Sequence, residues 1–333
     1  MSGLTILFLC IVPAITAAAG WFAGRMALDN GTSPTRAADP SSRQEGEGED
    51  KGEVRAAIGK DRTLAGHLLA AIDAGEVALN YQPKLNARES SFSSAEALFR
   101  WENGHGLAHS TLDIIEMAER TGAIRELTLW TLKRAISDQL ILIDHDLDLT
   151  LDVNMSGRLL SDSEFTLQAI EIIKSAPGRI GIEITETAVI DHPVRALANL
   201  ELYRAAGAPI AIDDYGMGLS SLRYLKRIPA DELKIDREYI KDLTHSNRDP
   251  MIVRSTIDLA HALDLSVTAE GVDDPMKLAL LKVMGCDFLQ GFHIARPMPL
   301  DALIAFMNDV ETQKNIANPE LSLLPKAAGD AAA

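Results

Sequence analysis

Short apolar runs alternate with amphipathic stretches along most of the chain, from about residue 63 to about residue 310. Short apolar runs are typical of buried strands, and stretches such as 193–206 and 251–263 have helical spacing. Strand candidates lie near 77–84, 94–101, 149–155, 180–185, 209–213, 232–236, 266–270 and 286–290. This alternation predicts an α/β fold, a TIM-type (β/α)8 barrel. A doubly wound open sheet is the alternative, although no Gly-x-Gly-x-x-Gly follows the first strand.

The first 24 residues contain no charged side chain, and an apolar segment of this length can cross a membrane as a helix. A cleaved signal peptide is the alternative, but no Lys or Arg precedes the apolar run. The first positive charge is Arg25, which by the positive-inside rule favours a cytoplasmic position for everything that follows. We therefore expect a single-pass anchor over 1–25 in the inner (cytoplasmic) membrane.

Composition divides the rest of the chain. Residues 26–59 are rich in Gly, Glu, Ser and Pro and predict a disordered linker, followed by the barrel over 60–311 and a disordered tail over 312–333.

The net charge of −16 argues against binding to a nucleic-acid polymer. Cys10 and Cys286 lie far apart, which fits a reducing compartment and offers no disulfide or zinc framework.

Two adjacent carboxylates, Asp213 and Asp214, stand where an apolar strand gives way to a glycine-containing loop. An Asp-rich turn before a helix would explain this pair alone. Other strand candidates, however, also end in polar side chains: Glu96, Asn154, Glu183, Lys234, Glu270 and Gln290. The carboxyl ends of barrel strands meet at one mouth, so we expect that mouth to hold Glu96, Glu183, Asp213, Asp214 and Glu270, with Lys234 as the cation.

Several desolvated like charges are costly unless a cation neutralises them. Carboxylate oxygens and the Asn154 amide oxygen suit Mg²⁺ or Mn²⁺, whereas no His or Cys joins the set to favour zinc. The sequence therefore predicts a divalent-cation site at the mouth of the barrel.

From about Leu64 to Phe306 the chain resembles the EAL-domain cyclic-di-GMP phosphodiesterases, whose short motifs occur here in the family order. They are Tyr81–Pro83, Glu96–Leu98, Arg100–Trp101, Ala118–Glu119, Val153–Ser156, Glu183–Glu186, Asp213–Gly216, Leu233–Asp236, Ala269–Val272 and Gln290–Gly291. The resemblance implies a barrel that hydrolyses one phosphodiester of cyclic-di-GMP, giving linear pGpG, and that forms a homodimer.

The resemblance also implies a role for each motif residue. One Mg²⁺ or Mn²⁺ would be held by Glu96, Asn154, Glu183 and Asp213, and a second by Asp213, Asp214 and Glu270. Lys234 would hold the attacking water, with Glu270 assisting proton transfer and Gln290 positioning the water or the metal shell. Gln82, Leu98 and Arg100 would contact the nucleotide. Glu186 would brace the loop after Asp214, which couples the site to dimerisation in this family.

The loop after Asp214 departs from the family pattern. Tyr215, Met217 and Leu219 stand where Phe, Thr and Tyr are usual, and Glu116 and Asp273 replace a frequent Pro and Glu. None of these positions is an expected metal ligand. The departures leave open a second hypothesis, a slow or inactive receptor that binds cyclic-di-GMP at the membrane.

Overall fold

The computed structural model describes residues 45–101, 110–189, 192–216 and 225–317. The chain divides into two units, Met1–Glu53 and Val54–Ala333, and the barrel belongs to the second. The anchor predicted over 1–25 lies outside the described residues. Among the helices of the described ranges, none has both the length and the apolar character needed to cross a membrane.

Eight strands close into a barrel, with each strand paired to its neighbour in chain order. They are β1 (Val77–Asn86), β2 (Phe92–Trp101), β3 (Thr150–Asn154), β4 (Ile180–Thr185), β5 (Ile210–Tyr215), β6 (Glu232–Ile235), β7 (Ser266–Ala269) and β8 (Phe288–Leu289). Each overlaps one of the eight predicted strands, and the predicted eight-stranded barrel is confirmed.

The direction of β1 differs from that of a regular (β/α)8 barrel. β1 runs antiparallel to both β2 and β8, whereas the other neighbouring pairs are parallel. The reason is the short turn between β1 and β2, which can join only antiparallel strands. Successive residues of β1 therefore move away from the mouth: Gln82 pairs with Glu96, and Lys84 pairs with Ser94 farther down.

Helices follow most of the strands. They are α1 (Glu45–Ala74), α2 (Thr111–Thr121), α3 (Ile124–Asp144), α4 (Gly157–Leu160), α5 (Ser163–Lys174), α6 (Pro193–Ala205), α7 (Arg237–Ile240), α8 (Asp249–His261), α9 (Pro275–Met284) and α10 (Leu300–Ala317), with a 3₁₀ turn over Glu186–Val189. Side-chain caps set several starts: the Ser110 hydroxyl accepts from Asp113 N, and an Asp274 carboxylate oxygen accepts from Lys277 N.

Helix α1 begins within the predicted linker, and the domain division itself stays a prediction. Its range covers 45–59, which we expected to belong to the disordered linker, and α10 likewise extends to Ala317, past the predicted barrel end. The Glu, Lys, Arg and Ala residues of this segment have high helix propensity, which outweighs the interspersed glycines. The second half of α1 also buries Ala65, Leu68 and Ala71 at helical spacing, so it belongs to the folded domain.

The two faces of each strand bury different side chains. On β4, Ile182 and Ile184 join the apolar core that includes residues of the surrounding helices. Gly181 and Glu183 alternate with them and face the barrel interior. Lys84 on β1 contacts Glu183 on β4 and Glu232 on β6, strands that are not neighbours, so these side chains meet inside the barrel. The barrel interior is therefore polar and charged.

Gly181→Ala should destabilise the barrel by about 1–3 kcal/mol because the new methyl group overfills a packed interior. A Cβ at residue 181 would overlap Asp152 Oδ1 and push that carboxylate away from Lys84. Urea unfolding followed by circular dichroism measures the change. Gly66→Ala is the control: nothing lies within 4 Å of its Cβ position in α1, and alanine favours a helix. A Gly181→Ala variant as stable as the parent would contradict this packing.

Candidate active site

Seven polar side chains from seven strands or strand ends meet at the mouth of the barrel and form what we term the mouth cluster. They are Glu96, Asn154, Glu183, Asp213, Lys234, Glu270 and Gln290. Contacts in the structure bring Glu96, Glu183, Asp213, Lys234 and Glu270 together with Asn154 and Gln290, and the roles expected of these residues stay predictions.

Lys234 is the centre of the mouth cluster. Its Nζ lies 2.6 Å from Glu183 Oε2 and 2.7 Å from Glu270 Oε1. Asp213 Oδ1 and Glu96 Oε2 follow at 3.3 and 3.6 Å. Burial opposes the charge on this fully buried amine, but the surrounding carboxylates outweigh it and raise the Lys234 pKa well above its ordinary value. Lys234 is therefore an ammonium ion.

Asp213 and Asp214 both line the mouth although adjacent strand residues normally point to opposite faces. The pairing of β5 with β6 shifts register between Ile212 and Tyr215, and Asp214 adopts a left-handed conformation with φ of 54°. Asp214 N also donates to Asp213 Oδ1 at 2.9 Å. This irregular strand end gives the site two neighbouring carboxylates, at the cost of local backbone strain.

Amide side chains hold Glu96 from two sides. Gln290 Nε2 donates to Glu96 Oε2 at 2.7 Å, and Asn154 Nδ2 donates to Glu96 Oε1 at 2.8 Å. Gln290 Nε2 also donates to Gln82 Oε1 at 3.2 Å. In the described part of the chain, the buried oxygen Gln290 Oε1 has no hydrogen-bond partner. A buried carbonyl oxygen in this state is suited to a bound water or cation.

The carboxyl groups of the cluster differ in acidity. Burial, reinforced by neighbouring carboxylates, raises the pKa of Glu96 and Asp213, that of Asp214 to about 6 and that of Glu270 to about 8. Glu183 is the exception: burial is outweighed by Lys234 and Lys84, which lower its pKa to about 2. Most of these carboxylates therefore have less positive charge near them than their burial requires.

The residues fit a divalent cation by their chemistry. Carboxylate oxygens, an amide oxygen at Asn154 and Gln290 Oε1, which has no partner among the residues that the structure describes, are ligands that Mg²⁺ and Mn²⁺ accept. In the ranges that the structure describes, however, no three His, Cys, Asp or Glu side chains stand in a metal-holding arrangement. The carboxylates converge on Lys234 Nζ instead. Holding a metal would require several of them to turn away from this ammonium.

Two cavities open at the mouth, of about 380 and 480 Å³, and both are lined by Leu98 and Asp213. Arg100 lines the first, whereas Gln82 and Arg237 line the second. The three residues expected to contact a nucleotide thus border the cavities around the mouth cluster. Their roles stay predictions.

Glu186 begins the 3₁₀ turn after β4, and its side chain reaches the loop that follows Asp214. Its Oε2 accepts from Gly216 N at 2.8 Å, and Tyr239 OH donates to Gly216 O at 2.7 Å. These bonds fix the first residue of the loop on both sides. Met217 and Leu219 lie outside the described residues, so the bracing role expected for Glu186 stays a prediction.

Three charged residues below the mouth were missed by the sequence analysis: Lys84, Asp152 and Glu232, which we term the lower cluster. Lys84 Nζ is fully buried and lies 2.8 Å from Glu183 Oε1, 2.9 Å from Asp152 Oδ2 and 3.2 Å from Glu232 Oε1. A signal was present, because each stands two residues from a predicted site residue and so shares its face of the strand.

The sequence pattern of the EAL domain family matches residues 65–297. The chain belongs to the EAL domain family. It is 35% identical over 247 residues to the bifunctional diguanylate cyclase/cyclic di-GMP phosphodiesterase MucR of Pseudomonas aeruginosa, with 72% of this chain and 35% of MucR covered. It is 36% identical over 237 residues to the cyclic di-GMP phosphodiesterase NbdA of the same organism, with 70% and 30% covered. The chain thus spans about a third of these relatives.

Solved EAL domain structures resemble the chain as well. The PaMucR phosphodiesterase in complex with c-di-GMP has a TM-score of 0.68 and 33% identity, covering 72% of this chain and 99% of that one. The EAL enzyme Bd1971, bound to cAMP and cyclic-di-GMP, has a TM-score of 0.69 and 28% identity, covering 81% and 76%. The family and the fold thus agree with those expected from the sequence.

Without added metal, the protein should become less stable as pH rises from 6 to 9. The folded-state pKa values of Asp152 and Glu270, about 7 and about 8, lie above their ordinary values. The folded state therefore binds protons that the unfolded state has lost, and this stabilisation disappears as pH rises through 7 and 8. Thermal unfolding in EDTA should give a Tm that falls by several degrees. Glu270→Gln should flatten the profile, and a Tm that rises with pH would contradict these shifts.

Proposed function

We propose that the chain is a metal-dependent cyclic-di-GMP phosphodiesterase that hydrolyses one phosphodiester bond to give linear pGpG. The observation that carries the proposal is the mouth cluster itself, in which four carboxylates share Lys234 Nζ between two cavities. The relatives MucR and NbdA, named as cyclic di-GMP phosphodiesterases, support the choice of substrate.

We assign the metal ligands as the family resemblance implies. Glu96, Asn154, Glu183 and Asp213 would hold one Mg²⁺ or Mn²⁺; Asp213, Asp214 and Glu270 would hold a second. Two such ions, when bound, lower the pKa of water and stabilise the entering and leaving oxygens of an in-line displacement.

The chain's own residues supply the remaining chemistry. Hydrolysis forms one P–O bond from water and breaks one P–O bond to a ribose oxygen, so a base must accept a proton from water. Glu270 suits that role by position, because its Oε1 lies 2.7 Å from Lys234 Nζ, beside the water that this ammonium would hold. Lys234 is an ammonium ion and can donate hydrogen bonds to the attacking water. Gln290 Oε1 is a buried acceptor that can orient the same water.

Positive side chains beside both cavities would bind the anionic substrate. Arg100 lines one cavity and Arg237 lines the other, and Leu98 stands between them with an apolar surface for a base. A dinucleotide could therefore place one half in each cavity and its scissile phosphate near Asp213. This arrangement also explains how a chain with a net charge of −16 can bind a dianion.

The purified full-length chain, in mild detergent with Mg²⁺ or Mn²⁺, should convert cyclic-di-GMP to pGpG, and EDTA should stop the reaction. Glu270→Gln should lower kcat by about 10²–10⁴-fold because it removes the proton acceptor. Chromatographic separation of the dinucleotides measures both. Glu164→Gln, an exposed carboxylate on α5, is the matched control and should keep parental turnover. Intact cyclic-di-GMP after long incubation with either metal would contradict hydrolysis.

A catalytically slow or inactive cyclic-di-GMP receptor is the second candidate. The observation that favours it is that the mouth carboxylates are already paired with Lys234, which a metal would have to displace. Tight binding of cyclic-di-GMP by calorimetry, without pGpG, would identify a receptor. Failure to bind the dinucleotide would exclude both candidates.

We also propose, from the sequence, that residues 1–25 anchor the chain in the inner membrane with the barrel in the cytoplasm, and that the barrel forms a homodimer. In cell fractionation the full chain should remain with carbonate-washed membranes, whereas a chain lacking 1–25 should appear in the supernatant. A full chain in the supernatant would contradict the anchor. Analytical ultracentrifugation of the shortened chain tests the dimer.

A further inference from the structure

We propose that Lys84 is a positioning residue, which fixes the Glu183 carboxylate from below so that Glu183 can serve as a metal ligand at the mouth. This inference rests on the proposed metal-dependent function. It gives the lower cluster a part in that function, although none of its three residues touches the substrate cavities at the mouth.

The contacts of Glu183 carry the first step. Its two oxygens are held by different ammonium groups: Oε1 by Lys84 Nζ at 2.8 Å and Oε2 by Lys234 Nζ at 2.6 Å. Glu183 and both lysines are fully buried. A carboxylate that is held at one oxygen cannot rotate freely. The ion pair between Lys84 and Glu183 Oε1 therefore directs Glu183 Oε2 toward the mouth.

The lower cluster is built to hold Lys84 in that position. Asp152 Oδ2 and Glu232 Oε1 bind its Nζ from β3 and β6, and Thr268 Oγ1 donates to the same Glu232 oxygen at 2.7 Å. Gly181 stands opposite Asp152 on β4, where any Cβ would overlap the Asp152 carboxylate. Because Gly181 has no side chain, the barrel interior has room for Asp152 beside the lysine.

The reversed direction of β1 explains why a lysine can occupy this place. Gln82 reaches the mouth cluster, and Lys84, two residues on, lies one level farther down the interior face. Charges therefore alternate along the interior, from Asp152 and Glu232 through Lys84 and Glu183 to Lys234. Partners that hold a metal ligand from behind typically change metal affinity by 10–100-fold when they are removed.

A purely structural role is the competing explanation, in which Lys84 only neutralises the buried carboxylates around it. Lys84→Met alone cannot separate the two, because it leaves Asp152 without a cation and changes the local charge. Lys84→Met combined with Asp152→Asn removes one cation and one anion, so local net charge is unchanged. If Lys84 acts only on charge balance, this double variant should bind metal like the parent.

Mn²⁺ binding to the purified full-length chain, followed by the electron paramagnetic resonance signal of free Mn²⁺, tests the proposal. The double variant should bind Mn²⁺ about 10–100-fold more weakly than the parent. Asp152→Asn alone, which keeps Lys84 on Glu183, should bind within a few-fold of the parent. In hydrolysis assays the double variant should recover turnover as Mn²⁺ is raised, with an unchanged KM for cyclic-di-GMP, because Lys84 does not contact the substrate.

Circular dichroism checks folding before each titration. If the methionine variant does not fold, Lys84→Gln with Asp152→Asn replaces it, since a neutral amide keeps a donor in the cavity but removes the ion pair with Glu183. A folded double variant with parental Mn²⁺ affinity would overturn the positioning role. A parent chain that binds no Mn²⁺ would instead overturn the metal-dependent function, so the two failures are distinguishable.

Discussion

The arrangement of this barrel depends on one buried interaction, a carboxylate held between two ammonium groups. Glu183 takes Lys84 at one oxygen and Lys234 at the other, and this is the only carboxylate of the mouth cluster whose pKa falls rather than rises. Ionised groups are costly inside a protein unless they are paired and hydrogen-bonded. Glu183 thus links Lys84 in the lower cluster to Lys234 in the mouth cluster. A substitution in either cluster would therefore change the charge balance in the other.

The mouth cluster and the lower cluster differ in how their carboxylates are paired with lysines. In the lower cluster, Lys84 contacts three carboxylates, and Thr268 donates a further hydrogen bond to one of them, Glu232. At the mouth, four carboxylates share one lysine, and the buried Gln290 Oε1 has no partner among the described residues. The lower cluster thus stabilises the residues above it. The mouth cluster has an excess of carboxylates and is suited to bind additional positive charge.

Most of the fold could be predicted from the sequence, because most barrel strands lie in short apolar runs that alternate with amphipathic stretches. The meeting of Glu96, Glu183 and Glu270 followed from the convergence of such strands. The reversed direction of β1 was not predicted, although the short turn between β1 and β2 is a sequence signal for antiparallel pairing. Lys84 was missed because a lysine within a strand is usually exposed, although its spacing of two residues from Gln82 places both on one face of β1.

The reversal of β1 also decides where the polypeptide enters the barrel. In a regular (β/α)8 fold the first strand begins at the end remote from the substrate, but here Val77 pairs with Trp101 at the rim where β2 ends. Helix α1 ends at Ala74, only a few residues before that point. A pull or twist transmitted along the end of α1 would therefore reach the rim of the mouth first, through the hydrogen bonds that join the start of β1 to the end of β2.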